Sequence, residues 1–113
     1  MTLKARLYIK NGEFAGATIP LVGGQWITIG RSDASNIILP DGKISRVHCK
    51  IDFDGKICKI EDMDSRNGTF VNSIRIKNQE LRTGDEVRVG DTVVRVEVGK
   101  STCFRRESGS YWK

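Results

Sequence analysis

The chain has one histidine, two prolines and three cysteines in 113 residues. It has no apolar run near the ~20 residues that a membrane span needs. With His48 alone, a Cys/His zinc site has too few ligands, and no metal or other cofactor is expected. Cys49, Cys58 and Cys103 are odd in number, and no pair has metal-finger or redox spacing. The opening MTLKARLYIK lacks the apolar stretch of a secretory leader. Free thiols and no leader predict a reducing compartment, the cytoplasm. No P-loop, dinucleotide fingerprint or zincin motif occurs. Nor does any window of about a dozen residues show a helical period.

Acid–base and nucleophilic mechanisms most often need a histidine or paired carboxylates. Ser45 and His48 could be read as nucleophile and base. An orienting acid and an oxyanion hole are not recognisable beside them, so no enzyme is expected. The acidic run Glu61-Asp62-Met63-Asp64 could hold a cation, but a solvated strand end leading into a turn explains it more simply.

Charge of one sign is scarce in the body of the chain. Residues 1–98 hold 15 Lys and Arg against 13 Asp and Glu, while Lys100, Arg105, Arg106 and Lys113 face only Glu107 in the tail. A nearly neutral body argues against a groove that neutralises many backbone phosphates, so no nucleic acid is expected. It leaves room for a few arginines aimed at one phosphate. Hydrophobic residues at 38% and charged residues at 29% describe one ordinary globular domain, large enough to bury a core without staples.

What is present is period-two alternation. It recurs in LYI (7–9), ATIPL (17–21), QWITIG (25–30), VHCKIDF (47–53), KICKIED (56–62), TFVN (69–72), DEVRVG (85–90) and TVVRVEV (92–98). Turn dipeptides such as Asn11-Gly12, Gly23-Gly24, Asn67-Gly68 and Gly90-Asp91 separate the runs, and Asp54-Gly55 is the clearest hairpin. The spacing predicts an all-β, two-sheet antiparallel sandwich or a barrel. Cys49 and Cys58 alternate with Ile51 and Ile60, so both are expected in the core. Trp26 fits either core or surface. Residues 99–113 read as a basic extension or linker beyond a domain at 1–98, packing at most through Phe104, Tyr111 or Trp112.

Two segments, GRSDASNIILPDGKISRVH (30–48) and EDMDSRNGTF (61–70), read as loops. Function gathers on loops carried by a rigid scaffold. Arg31, Ser45, Arg46, Arg66 and Asn67 fall there. A phosphate monoester carries about −1.5 to −2 charge and three acceptor oxygens. It suits guanidinium forks, hydroxyls and free N–H groups. Residue type alone leaves this open, because strand-end arginines are usually solvated, a serine before a strand often makes a local turn, and Asn-Gly is a common turn.

The order of segments adds a resemblance. GRS (30–32), NIILPDGKISRVHCKI (36–51), DSRNGTFVN (64–72) and LRTGDEVRVGDTVVRV (81–96) resemble the successive signature blocks of the forkhead-associated (FHA) family, over about residues 4–98. The resemblance implies a β-sandwich of about eleven strands with ligand loops at one end. It implies a module that binds phosphothreonine-containing proteins without chemistry. Arg31 and Ser45 match phosphate ligands, and Arg46 and Arg66 match positions that often add to them. Asn67 matches the residue that holds the peptide main chain. Gly30, His48 and Gly68 match architectural positions. Asn36 departs from a common aspartate, and Ser73 from a common glycine.

The partner implied is a phosphothreonine-bearing protein, a Ser/Thr kinase or its substrate, met by a monomeric domain away from membranes. The same fold used as a phosphate-independent scaffold is the alternative. A preference for phosphothreonine over phosphoserine follows from the resemblance. Selectivity for flanking residues is expected from loops 32–44, 62–67 and 88–94.

Overall fold

Aliphatic and β-branched residues at alternate positions give a strand one face to bury. The computed structural model describes residues 3–99, and these carry eleven strands. In chain order they are β1 (Lys4–Ile9), β2 (Thr18–Leu21), β3 (Gln25–Gly30), β4 (Ile37–Ile38), β5 (Cys49–Phe53), β6 (Cys58–Asp62), β7 (Thr69–Val71), β8 (Ile74–Ile76), β9 (Asn78–Leu81), β10 (Glu86–Val89) and β11 (Thr92–Gly99). They form a six-stranded sheet, β2-β1-β11-β10-β7-β8, and a five-stranded sheet, β4-β3-β5-β6-β9. The expected sandwich is present. One pair departs from antiparallel: β4 runs parallel to β3, with Ile37 opposite Ile29, because the chain doubles back through 31–36. No helix occurs among the described residues. The tail residues Cys103, Phe104, Tyr111 and Trp112 lie outside them.

The core lies between the sheets. Leu7, Val87, Val94 and Val96 from one sheet and Ile29, Ile51, Phe53 and Ile60 from the other are at most 2% exposed. Each such side chain contributes roughly 1.5–3 kcal/mol when fully buried. Cys49 and Cys58 belong to this cluster, as their alternation predicts. Burial pushes both thiols up to about 12, with the charges of Asp62 and Asp52 adding to it. Trp26 is on the outer face of β3, with the Lys50 ammonium 5.4 Å from its ring centre.

The connections differ in detail from the turn dipeptides. Asp54-Gly55 does join a hairpin, but Phe53 pairs with Cys58, so the loop has four residues. The Asp54 carboxylate shapes it by accepting from the N–H groups of Lys56 and Ile57. The two-residue hairpins lie elsewhere, at Asn72-Ser73 and Gly90-Asp91. Asn72 and Ser73 have φ of 50° and 73°, the type I′ geometry that matches strand twist.

Strand order brings six connections to one end. They are β1–β2, β3–β4, β4–β5, β6–β7, β8–β9 and β10–β11. Both long loops singled out in the sequence are among them.

Candidate functional site

Gly30 ends β3 where the backbone of the β4–β5 loop crosses it. A Cβ there would lie 2.0 Å from the Arg46 carbonyl oxygen and 2.1 Å from Ser35 Oγ. Only glycine fits this approach, which fixes where Arg31 emerges. The Arg31 N–H donates to the Ser45 carbonyl at 3.0 Å, and its Nε donates to the Ile44 carbonyl at 3.0 Å. With Nε held, the terminal guanidinium nitrogens have no partner among the described residues.

Ser45 stands opposite. Its N–H donates to His48 Nδ1 at 3.1 Å, and its Oγ accepts the Arg66 N–H at 2.9 Å. The hydroxyl proton is left to point outward, since a serine hydroxyl has one donor. His48 is fully buried. Because Nδ1 accepts, Nε2 carries the ring proton and donates it to the Gly68 carbonyl at 2.9 Å. The imidazole thus straps the β4–β5 loop to the β6–β7 loop. It meets the backbone N–H of Ser45, not its hydroxyl, so the nucleophile–base pair that their spacing allows is not formed.

The β6–β7 loop is held from inside by Asp62. Its carboxylate accepts from the hydroxyls of Ser65 and Thr69 and from the Ser65 N–H. Burial pushes the Asp62 carboxyl up, but these hydrogen bonds, with the nearby His48, outweigh it and hold the group below the usual carboxylate range. Ser65 Oγ then accepts the Gly68 N–H at 3.0 Å, where Gly68 takes φ of 92°. Of the acidic run, Glu61, Met63 and Asp64 are exposed as a solvated turn predicts, but Asp62 turns inward. Among the described residues no group of three or more His, Cys, Asp or Glu could hold a metal ion.

Asn67 Nδ2 donates to the Lys43 carbonyl at 2.8 Å, a second tie between the two loops. The Arg46 carbonyl accepts from Ser35 Oγ at 2.7 Å and from the N–H and Oγ of Ser32, which pins the β3–β4 loop. The Arg46 N–H and the guanidinium groups of Arg46 and Arg66 make no hydrogen bond or ion pair with a described residue. Asn36 ties to Thr28 largely through its Oδ1, an acceptor role that an aspartate could fill equally.

The loops enclose a depression of about 410 Å³. Arg31, Ser45, Arg46, Arg66 and Asn67 line it together, although they come from three loops. Gly30, His48 and Gly68 lie beneath and shape it. Lys43, which sequence reasoning passed over, also lines it and pairs with Asp91 at 3.3 Å. Its only sequence signal is its place between Asp41-Gly42 and Ser45. Asp41 ties the same loop to the β10–β11 turn, accepting from the N–H groups of Lys43 and Asp91 and from Thr92 Oγ1. Burial raises its carboxyl, and these contacts lower it more. The depression therefore offers cations, a hydroxyl and a free N–H, and its lining holds no carboxylate. Such a set of donors suits an anion with several acceptor oxygens.

Two sheets with a cationic, loop-built depression at one end have the layout of a recognition module. The FHA domain pattern matches residues 27–90. The chain is 36% identical over 84 residues to the FHA domain-containing protein FhaA of Mycobacterium tuberculosis, covering 74% of this chain and 16% of that protein. It is 37% identical over 86 residues to the oxoglutarate dehydrogenase inhibitor of Corynebacterium efficiens, covering 76% of this chain and 60% of that one. A solved domain from a structural and functional analysis of phosphothreonine-dependent FHA domain interactions superposes with a TM-score of 0.77 at 33% identity. That match covers 83% of this chain and 95% of the solved one. The chain belongs to the FHA family of phosphothreonine-binding modules, which are not enzymes. It spans less than two thirds of the length of these curated relatives. No helix among the described residues is long and apolar enough to cross a membrane.

Proposed function

We propose that the body at 1–98 docks a phosphothreonine-containing segment of a partner protein, a Ser/Thr kinase or its substrate, in the cytoplasm. Residues 99–113 form an extension outside this unit. The observation that carries the reading is the Arg31–Ser45 pair. Arg31 is held by its Nε so that its terminal nitrogens remain for a ligand, and Ser45 keeps its hydroxyl proton while its oxygen accepts from Arg66. Arg31 and Ser45 hold the phosphate, joined by Arg46 and Arg66. Asn67, tied to the Lys43 carbonyl through one N–H of its amide, offers the peptide main chain the amide oxygen and the second N–H. His48, Gly30 and Gly68 hold the loops.

Removing one partner of a desolvated charge pair typically costs about 2–5 kcal/mol. Arg31→Ala is expected to abolish measurable phosphopeptide binding while the melting temperature stays near wild type. Calorimetry with one peptide in phosphothreonine, phosphoserine, threonine and glutamate forms tests this. Binding in that order, with threonine and glutamate weak or silent, is the expected result. Equal binding of the unphosphorylated form, or wild-type affinity in Arg31→Ala, refutes the reading. Affinity should also rise from about pH 5 to about pH 7, because the phosphate's second ionisation lies near pH 6 while a guanidinium stays protonated.

A further inference from the structure

The depression holds more positive charge than one phosphate uses. Arg31, Lys43, Arg46 and Arg66 line it, and no carboxylate does. Residues 1–98 have 15 Lys and Arg against 13 Asp and Glu, so removing these four leaves eleven cations against 13 carboxylates. The body's small positive excess is thus sorted into one place. Of the eleven cations elsewhere, four are ion-paired among the described residues: Arg6 and Arg95 with Glu97, Lys10 with Glu86, and Lys50 with Glu61. Within the depression only Lys43 has an anionic partner, Asp91 behind it, and both side chains of that pair are well exposed. Such a pair exchanges cheaply for a ligand anion. Like charges gathered in a small concavity repel one another until anions arrive. A phosphothreonine brings at most about two negative charges.

Resting on the reading above, we infer that the site takes segments carrying a second anionic group, a phosphoryl or a carboxylate, beside the phosphothreonine. Arg31 and Ser45, joined by the Arg46 N–H and by Arg66, satisfy the first phosphate. Lys43 and the Arg46 guanidinium lie on either side of Ser45 in the chain and receive the second group. Lys43 is the specificity-determining residue, because it lines the depression and its carbonyl is tied to Asn67, the residue assigned to the bound main chain.

The test is a titration series on the intact chain. The peptides are unphosphorylated, singly phosphorylated in a neutral context, and phosphorylated with a second phosphoserine or a glutamate scanned along both flanks. The second phosphoryl is expected to tighten binding about 5- to 10-fold at low salt, the glutamate less, and the gain should shrink towards unity at high salt. In Lys43→Gln and in Arg46→Gln the ratio of double to single affinity should fall about 2- to 3-fold each. A ratio near one in the wild type, or one unchanged in both variants, overturns the inference. So does a DNA oligomer that binds as tightly as the doubly phosphorylated peptide. If the singly phosphorylated and unphosphorylated peptides bind alike, the phosphothreonine reading itself has failed.

Discussion

Gly30 shows how one missing atom can shape a site some distance from it. The Arg46 carbonyl and the Ser35 hydroxyl fill the space where its Cβ would be. Gly30→Ala must push the β4–β5 loop outward, so it should cost about 1–3 kcal/mol and weaken phosphopeptide binding as well. Urea denaturation and a peptide titration on the same variant check both; full stability with full affinity would contradict it. Ser73 is the opposite case. At φ of 73° it sits where the family commonly has glycine. A side chain in the left-handed region costs roughly 1–2 kcal/mol, part of which glycine's own entropy cancels. Ser73→Gly should therefore raise stability by about 0.5–1 kcal/mol, and a lower melting temperature would be evidence against this turn. The buried thiols give a third residue-scale expectation. With Cys103→Ser as background, Cys49 and Cys58 should resist a thiol reagent in the native state, since burial has pushed both up to about 12. Both should react once the chain is unfolded.

At the scale of elements, the ligand loops depend on two inward carboxylates, Asp62 under the β6–β7 loop and Asp41 under the β4–β5 loop. Both are held below the usual carboxylate range by hydrogen bonds that outweigh burial. A depressed folded value means that their stabilisation is present above the unfolded value, near pH 3.9, and is lost as pH falls through the folded one. Acidification below about pH 4 should loosen these loops before the strands. Hydrogen exchange should then rise first at Gly68 and Asp91, whose amides belong to these networks. A uniform rise along the chain would contradict this. Asp62 was not legible in sequence, because an acidic run at a strand end looks like solvated surface whether or not one member turns inward. The long strands were legible because alternation is itself the burial pattern. β4, β8 and β9 were not. β4 is two residues long, and the edge strands β8 and β9 expose most of their positions, so neither carries a period.

For the whole molecule, the two sheets act as a frame that brings loops far apart in sequence to one end. Arg31, Ser45 and Arg66 come from three loops, yet the N–H groups of Arg31 and Arg66 both donate to Ser45, one to its carbonyl and one to its Oγ. Their residue types suggested an anion, and their order suggested a family. Lys43 escaped notice, since a lysine in a loop is ordinary until the fold sets it in the lining of the depression. The opposite end and the outer sheet faces, including exposed Trp26, form surfaces well away from this site. Backbone amide NMR with a phosphothreonine peptide separates the site reading from the scaffold reading in one titration. The largest shifts should fall on Arg31, on 43–47 and on 66–67, and they should vanish with the unphosphorylated peptide. Shifts centred on Trp26 and Lys50, or identical shifts without the phosphate, would contradict the account.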